Sequence, residues 1–198
     1  MKTSCSMLAA ACALAVLPHC TQAPAEAQAQ PETIATPSAA DQIKRGEYLV
    51  TTMGCNDCHT PKVMTDHGPE LDAKRLLSGH PAEVPLAPIK DKDAVRNGQW
   101  VLMHPMVTAF AGPWGTSYAA NLTPDDTGIG AWTYEQFKKA LTQGKAKGLD
   151  GGRMLLPPMP WQNLVNMHEE DTQAIFAYLK SLPPVKNLVP APAPPTDL

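Results

Sequence analysis

Cys55-Asn56-Asp57-Cys58-His59 sets two thiols three residues apart with an imidazole immediately after, the spacing of c-type haem attachment. On one turn of chain, two such thiols reach the two vinyl carbons along one porphyrin edge. The adjacent imidazole then comes up under the iron, so each of the three side chains has a chemical task. Two other readings compete: a redox dithiol and half of a zinc site. A thioredoxin-like dithiol needs a βαβ setting, which the surrounding sequence lacks. A zinc site needs two further ligands, with no second Cys pair to supply them. Of the five cysteines, Cys5, Cys12 and Cys20 lie in the N-terminal leader, leaving Cys55 and Cys58 in the body. No disulfide framework can form, and one covalent haem c is the cofactor the motif predicts.

Outward from the motif, the sequence reads as helices joined by long loops. Asp41 can cap a helix carrying Ile43, Gly46, Tyr48, Leu49, Val50 and Met53, which Gly54 stops just before the Cys pair. Thr133 followed by Gln136 has the capping-box pattern, with Trp132 and Phe137 in the staple positions and Gly144 as terminator. The last helix is expected over Glu169 to Leu182. Its first turn is acidic, Ile175, Tyr178, Leu179 and Leu182 share a face, and Pro183 and Pro184 follow. Gly46 is expected to let the first helix cross closely against Tyr178 and Leu179 of the last. The stretch from Thr60 to Gly130 is rich in Pro and Gly and shows no sustained alternation. Loops of that length need something to pack on, and large apolar residues are few, so a cofactor is expected to form part of the core.

An electron-transfer haem takes a second axial ligand. Nine Met are available, and most Met serve as gap-fillers. Met159 stands out in Leu156-Pro157-Pro158-Met159-Pro160-Trp161, where three prolines forbid a helix and stiffen an extended loop. Met154, in a Gly-rich segment, is the runner-up; Met103, Met106 and Met167 rank lower, and His67, His80, His104 and His168 are nitrogen alternatives. The first ligand needs its other ring nitrogen held, and the carbonyl of Pro69, in Gly68-Pro69-Glu70-Leu71, could accept that proton. The other reading of that stretch is a turn.

The ends of the chain differ from its body. Lys2 and the apolar run Met7 to Leu17 read as an export signal over residues 1–29, with small residues at Ala25, Ala27 and Ala29 for cleavage. The competing reading is a lipoprotein signal over 1–19 with a lipid anchor on Cys20. Residues 30–40 are expected to be a disordered linker, 41–188 a monohaem domain and 189–198 (VPAPAPPTDL) a disordered tail. With 198 residues, 21 Pro, 13 Gly and 18% charged residues, one modest domain with loose ends is expected. The formal net charge of −3 argues against nucleic acid as a partner, and no apolar run has the length of a mature membrane span.

Taken together, Cys55 to His59, Gly68-Pro69-x-Leu71, a distal Met loop and a final aromatic helix resemble class I c-type cytochromes. The run from Gly112 to Asp125 (GPWGTSYAANLTPD), then Thr127-Gly128-Ile129-Gly130, Trp132-Thr133 and Pro157-Pro158-Met159-Pro160, resembles the cytochrome domains of periplasmic dehydrogenase-associated subunits. The resemblance spans the whole expected folded part. It implies an all-α cytochrome c-like haem domain with long loops between helices, Met159 as iron ligand, and Tyr118 and Asn121 near the haem. Multihaem relatives repeat Cys-x-x-Cys-His, whereas this chain has it once, so a relay of several haems is not expected of it. The function implied is a periplasmic electron carrier, not itself an enzyme, between a dehydrogenase and another cytochrome or an oxidase. His and Met ligation would favour ferrous iron. The rival is a haem enzyme or a gas or peroxide sensor with a labile distal ligand, in which His80 or His104 would be the nearby acid/base group.

Overall fold

The computed structural model describes residues 37–198. The signal expected over 1–29, Cys20 included, and residues 30–36 of the expected linker lie outside the described residues. In chain order the elements are α1 (Ala39–Thr52), α2 (Cys55–His59), β1 (Lys62–Thr65), β2 (Gly68–Leu71), α3 (Lys92–Arg96), β3 (Leu102–Met103), β4 (Ala109–Gly112), β5 (Gly115–Tyr118), α4 (Tyr134–Gln143) and α5 (Glu169–Ser181). Short 3-10 turns occupy Ala146–Gly148, Trp161–Leu164 and Pro195–Asp197.

Helix α1 starts at Ser38, whose hydroxyl accepts the Asp41 N–H at 3.2 Å. The cap thus precedes the Asp41 suggested by the sequence, and Asp41 instead places its charge in the first turn, where the helix dipole favours it. Ala39 and Ala40, assigned to the linker from composition, are already helical. Helix α4 has the full reciprocal capping box of Thr133 and Gln136 and ends at Gly144 with φ 65°. Such a cap contributes about 1 kcal/mol, and the left-handed terminator suits a residue without Cβ. Helix α5 begins with Glu169, Glu170 and Asp171, and buries Ala174, Ile175 and Leu179.

The first and last helices cross at Gly46. A Cβ there would lie 2.0 Å from the Ala174 carbonyl oxygen and 2.7 Å from the Tyr178 Cβ, so the crossing needs glycine. The expected contact with Tyr178 is present, with the Ala174 backbone closer still. Arg45 of α1 reaches Asp171 of α5 at 2.9 Å beside it. The principal core gathers around this pair: Leu49 and Val50 from α1, Ile175 and Leu179 from α5, Phe137 from α4, and Leu77 and Ile129 from the loops, with Cys55, Trp132 and Met167 packed against them.

The expectation of an all-α fold is corrected in part, because the stretch read as loop contains two small antiparallel sheets. Strands β1 and β2 form a hairpin across Asp66 and His67, and β3, β4 and β5 form a meander in that order. Strands of two to four residues are too short to display a period-2 pattern. The turn between β4 and β5 is Pro113-Trp114, closed by Gly112 opposite Gly115.

Composition leads one to expect a disordered tail over residues 189–198, and the structure corrects this. Ala193 exchanges both backbone hydrogen bonds with Thr116 of β5, at 2.9 and 3.1 Å. Leu198 is 6% exposed, packed with Val95 and Ala111 in a second small cluster. Arg96 of α3 donates to the Pro195 carbonyl at 3.0 Å. The prolines lack N–H groups but still offer carbonyls, so a Pro-Ala segment can cover a sheet edge that it could not extend as a full strand.

Candidate functional site

Gly54, at φ 73°, turns the chain sharply out of α1 and into the single turn of α2. That one turn carries Cys55, Cys58 and His59, all half-buried. Its carbonyl end is tied down by Lys62, whose ammonium donates to the Thr60 carbonyl at 2.8 Å, the Asn56 carbonyl at 3.4 Å and the Asp57 carbonyl. A cation at this end also complements the helix dipole. Thr60, fully buried, donates to the Asn56 side chain at 2.8 Å and accepts the Leu77 N–H at 2.8 Å.

Burial sets the protonation of the three motif side chains. It pushes the Cys55 thiol up to about 11, with its own backbone hydrogen bond opposing and Asp57 adding to the rise. Cys58 is raised by burial as well, against the pull of Lys62. His59 is lowered, again by burial first, against the hydrogen bond to Ala120. The pair therefore presents S–H groups and the histidine a neutral ring. His59 Nδ1 lies 2.8 Å from the Ala120 carbonyl oxygen. A carbonyl can only accept, so Nδ1 carries the proton and the Nε2 lone pair is left as a metal donor. This chemistry fits a haem: two thiols on one turn and one oriented imidazole. A zinc site finds less support, since among the described residues no group of three or more His, Cys, Asp or Glu side chains converges.

The Ala120 carbonyl corrects the assignment of Pro69. Pro69 stands opposite Met64 in the β1–β2 hairpin and is exposed, because the turn at Asp66-His67 draws it into strand pairing. Ala120 follows β5 and is held by its neighbours. His80 N–H donates to the Ala119 carbonyl at 3.0 Å, and Gly79 N–H to the His59 carbonyl at 2.7 Å. Next along the chain, Asn121 is 4% exposed. Its side chain accepts the Thr123 N–H at 2.9 Å and donates to the Val185 carbonyl at 2.8 Å, tying this loop to the segment after α5. Asn187, which sequence reasoning missed, donates to the carbonyls of Ser78 at 2.7 Å and His80 at 2.9 Å and accepts from Ala82 N–H at 3.0 Å. A single Asn between Lys186 and Leu188 gives no sequence signal of such a role.

Met159 lies on the proline loop. It is half-buried and helps line a cavity of about 420 Å³ with Met154, Leu155, Pro157, Pro158, Pro160, Trp161 and Gln162. The Trp161 ring sits against Gly144, where a Cβ would lie 2.4 Å from it. The cavity is lined by this loop alone, and none of the contacts above joins Met159 directly to Cys55, Cys58 or His59. The link runs through β5 and its exit: Ser117 donates to the Pro157 carbonyl at 2.6 Å, and Ala120, three residues on, accepts from His59.

The remaining candidates differ in what they touch. Met167 packs on the core, Met103 lies on β3 and is exposed, and Met154, 40% exposed, shares the cavity. His80 is fully buried with both ring nitrogens engaged, Nε2 on the Val84 carbonyl at 3.1 Å and Nδ1 on the Thr108 hydroxyl at 2.8 Å. Tyr118 packs its ring 5.1 Å from that of His80. His104 accepts the Met106 N–H at 3.2 Å, His67 sits in the hairpin turn, and His168 precedes α5 without a capping bond. Trp114 donates its indole N–H to Ser117 at 3.2 Å.

The Cys-x-x-Cys-His turn follows the first of two crossed helices, and the chain is similar to known cytochrome subunits. The chain is 33% identical over 137 residues to the gluconate 2-dehydrogenase cytochrome c subunit of Pantoea cypripedii, covering 69% of this chain and 22% of that protein. It is 32% identical over 174 residues to the fructose dehydrogenase cytochrome subunit of Gluconobacter japonicus, covering 86% of this chain and 27% of that protein. It is also 29% identical over 137 residues to the cytochrome c subunit of the quinone alcohol dehydrogenase of Gluconobacter oxydans, covering 69% of this chain and 20% of that protein. The chain is thus a homologue of the cytochrome c subunits of dehydrogenases. It spans between 20% and 27% of the length of these three relatives. No protein-family model matches it.

Proposed function

We propose that the chain is an electron carrier that holds one haem c, attached through Cys55 and Cys58 and ligated by His59 and Met159. The observation that carries this reading is the four-residue stretch Ser117 to Ala120. One end of it binds the proline loop of Met159 and the other end accepts the His59 ring proton. When bound, the haem supplies a one-electron ferric/ferrous couple. The chain's residues do the rest. Cys55 and Cys58, kept protonated by burial, would hold the group covalently by its two vinyl carbons. Ala120 fixes the tautomer of His59. Pro157, Pro158 and Pro160 restrict the Met159 loop before any bond forms, which lowers the entropy lost on ligation.

Electrons would enter from a dehydrogenase, in keeping with the names of the relatives, and leave to another cytochrome or an oxidase. The signal over 1–29 would place the protein in the periplasm; a lipid anchor on Cys20 is the alternative for the same compartment. Among the described residues no helix is long and apolar enough to cross a membrane. The enzyme or sensor reading needs a free acid/base group at the distal position; His80 already engages both ring nitrogens within the fold, and Nδ1 of His104 accepts the Met106 N–H. Absorption spectra of the protein matured with its haem test the proposal. A low-spin spectrum with an iron–sulfur band in the oxidised form is expected; a high-spin spectrum with ready carbon monoxide binding would favour the sensor or enzyme.

A further inference from the structure

We infer that Ser117 is a positioning residue for Met159, with Trp114 orienting its hydroxyl. The inference rests on the proposed ligation by Met159 and deepens it. Residues 157–160 have a single backbone N–H, that of Met159, because the other three are prolines. That N–H turns back to the Leu156 carbonyl at 3.3 Å, so the loop has no backbone donor left with which to hold itself to the rest of the molecule. Its flanks are anchored at one place: Leu155 N–H donates to the Gly144 carbonyl at 2.6 Å, and the Trp161 ring covers the same glycine. Between these flanks, among the described residues, the only hydrogen bond arriving from a distant part of the chain is Ser117 Oγ to the Pro157 carbonyl, 2.6 Å, across forty residues.

Ser117 is suited to this task. It is 7% exposed and lies on β5, paired opposite Phe110, so its backbone is fixed by the meander. The Trp114 indole N–H donates to the Ser117 oxygen at 3.2 Å, which satisfies the acceptor side of the hydroxyl and leaves its single proton for Pro157. The two hydrogen bonds, partly buried and joined through the buried Ser117, polarise one another along the chain. Trp114 is placed by the two-residue turn, its ring lying over Gly112, where a Cβ would meet it at 2.5 Å. The carbonyl of Pro157 precedes Met159 by two residues, so fixing it limits the positions the thioether can take.

The test compares Ser117→Thr with Ser117→Val in the holo protein, two side chains of one shape that differ in the hydroxyl. The readout is the affinity of added imidazole for the oxidised protein, followed by loss of the iron–sulfur band, with the melting temperature measured alongside. Ser117→Val is expected to bind imidazole about five- to tenfold more tightly than Ser117→Thr, the equivalent of one hydrogen bond. Trp114→Phe should give a smaller increase in the same direction. Equal imidazole affinity in the Thr and Val variants overturns the inference, and so does a lowered melting temperature with no change in affinity, which would mark Ser117 as structural only. Absence of the band from the wild type overturns the Met159 ligation itself, and the inference with it.

Discussion

The Nδ1 of His59 and the carbonyl oxygen of Ala120 are 2.8 Å apart, and Gly79 makes that approach possible. Gly79 has φ 80°, and a Cβ on it would lie 2.5 Å from the Ala119 carbonyl oxygen and 2.8 Å from that of Ala120. Gly79→Ala should therefore displace the Ala119–Ala120 backbone, at a cost of about 1–3 kcal/mol for a side chain in that conformation. A weaker acceptor makes the imidazole a poorer electron donor, which favours ferrous iron. The expected outcome is a raised reduction potential in potentiometric titration. A folded variant with the wild-type potential would separate Gly79 from the tuning of His59.

Covalent attachment has a direct signature. Mass spectrometry of the denatured mature protein should show one haem retained, and Cys55→Ala or Cys58→Ala should each remove one thioether and leave the group tethered singly. Haem that extracts into acid solvent from the wild type would sink the assignment.

Residues whose chemistry is carried by spacing were legible in the sequence. The capping box at Thr133 and the small residue at Gly46 each announce themselves within a few positions, as does the Cys-x-x-Cys-His spacing on which the proposed haem site rests. What escaped depends on long-range pairing. Pro69 suits His59 on sequence distance alone, being a proline ten residues on, yet the partner is Ala120, brought back by β5. The sheets were hidden because β3 is two residues long and β4 and β5 four each. The C-terminal segment reads as a tail because composition reports the lack of an apolar period, whereas Ala193 is held through its backbone and only Leu198 through its side chain.

The crossing of α1 and α5 can be tested by adding a single methyl group. Gly46→Ala must push the helices apart, since the new carbon would fall 2.0 Å from the Ala174 carbonyl oxygen. A loss of about 1–3 kcal/mol is expected from such overpacking, read as a lower denaturant midpoint of the holo protein. Gly46→Leu should lose at least as much. An unchanged midpoint in both would contradict the crossing.

Acid should weaken the fold through His80. Burial above all holds its pKa below the ordinary histidine value, with His104 acting in the same sense and the Val84 carbonyl and Glu83 opposing; Tyr118 packs on the ring without charge. A depressed folded-state value means that the stabilisation is complete above the unfolded value of about 6.5 and is lost as pH falls through the folded one. The melting temperature of the holo protein should therefore decline below about pH 6.5. His80→Gln, less stable throughout, should show a flatter decline in that window. Parallel profiles for the two proteins would assign the acid sensitivity elsewhere.

Met159 and Met154 share the same cavity, so the identity of the thioether ligand is a choice between neighbours. The prolines on both sides of Met159 restrict its backbone, whereas Met154 follows Gly151, Gly152 and Arg153 and is 40% exposed. Ordering Met154 on iron would cost more conformational entropy, and its backbone is already bridged to Lys145. Met159→Ala should therefore abolish the iron–sulfur band of the oxidised protein, open the iron to carbon monoxide in the reduced one and lower the reduction potential, since the soft thioether favours ferrous iron. Met154→Ala should leave all three as in the wild type. Survival of the band in Met159→Ala together with its loss in Met154→Ala would transfer the ligand role to Met154.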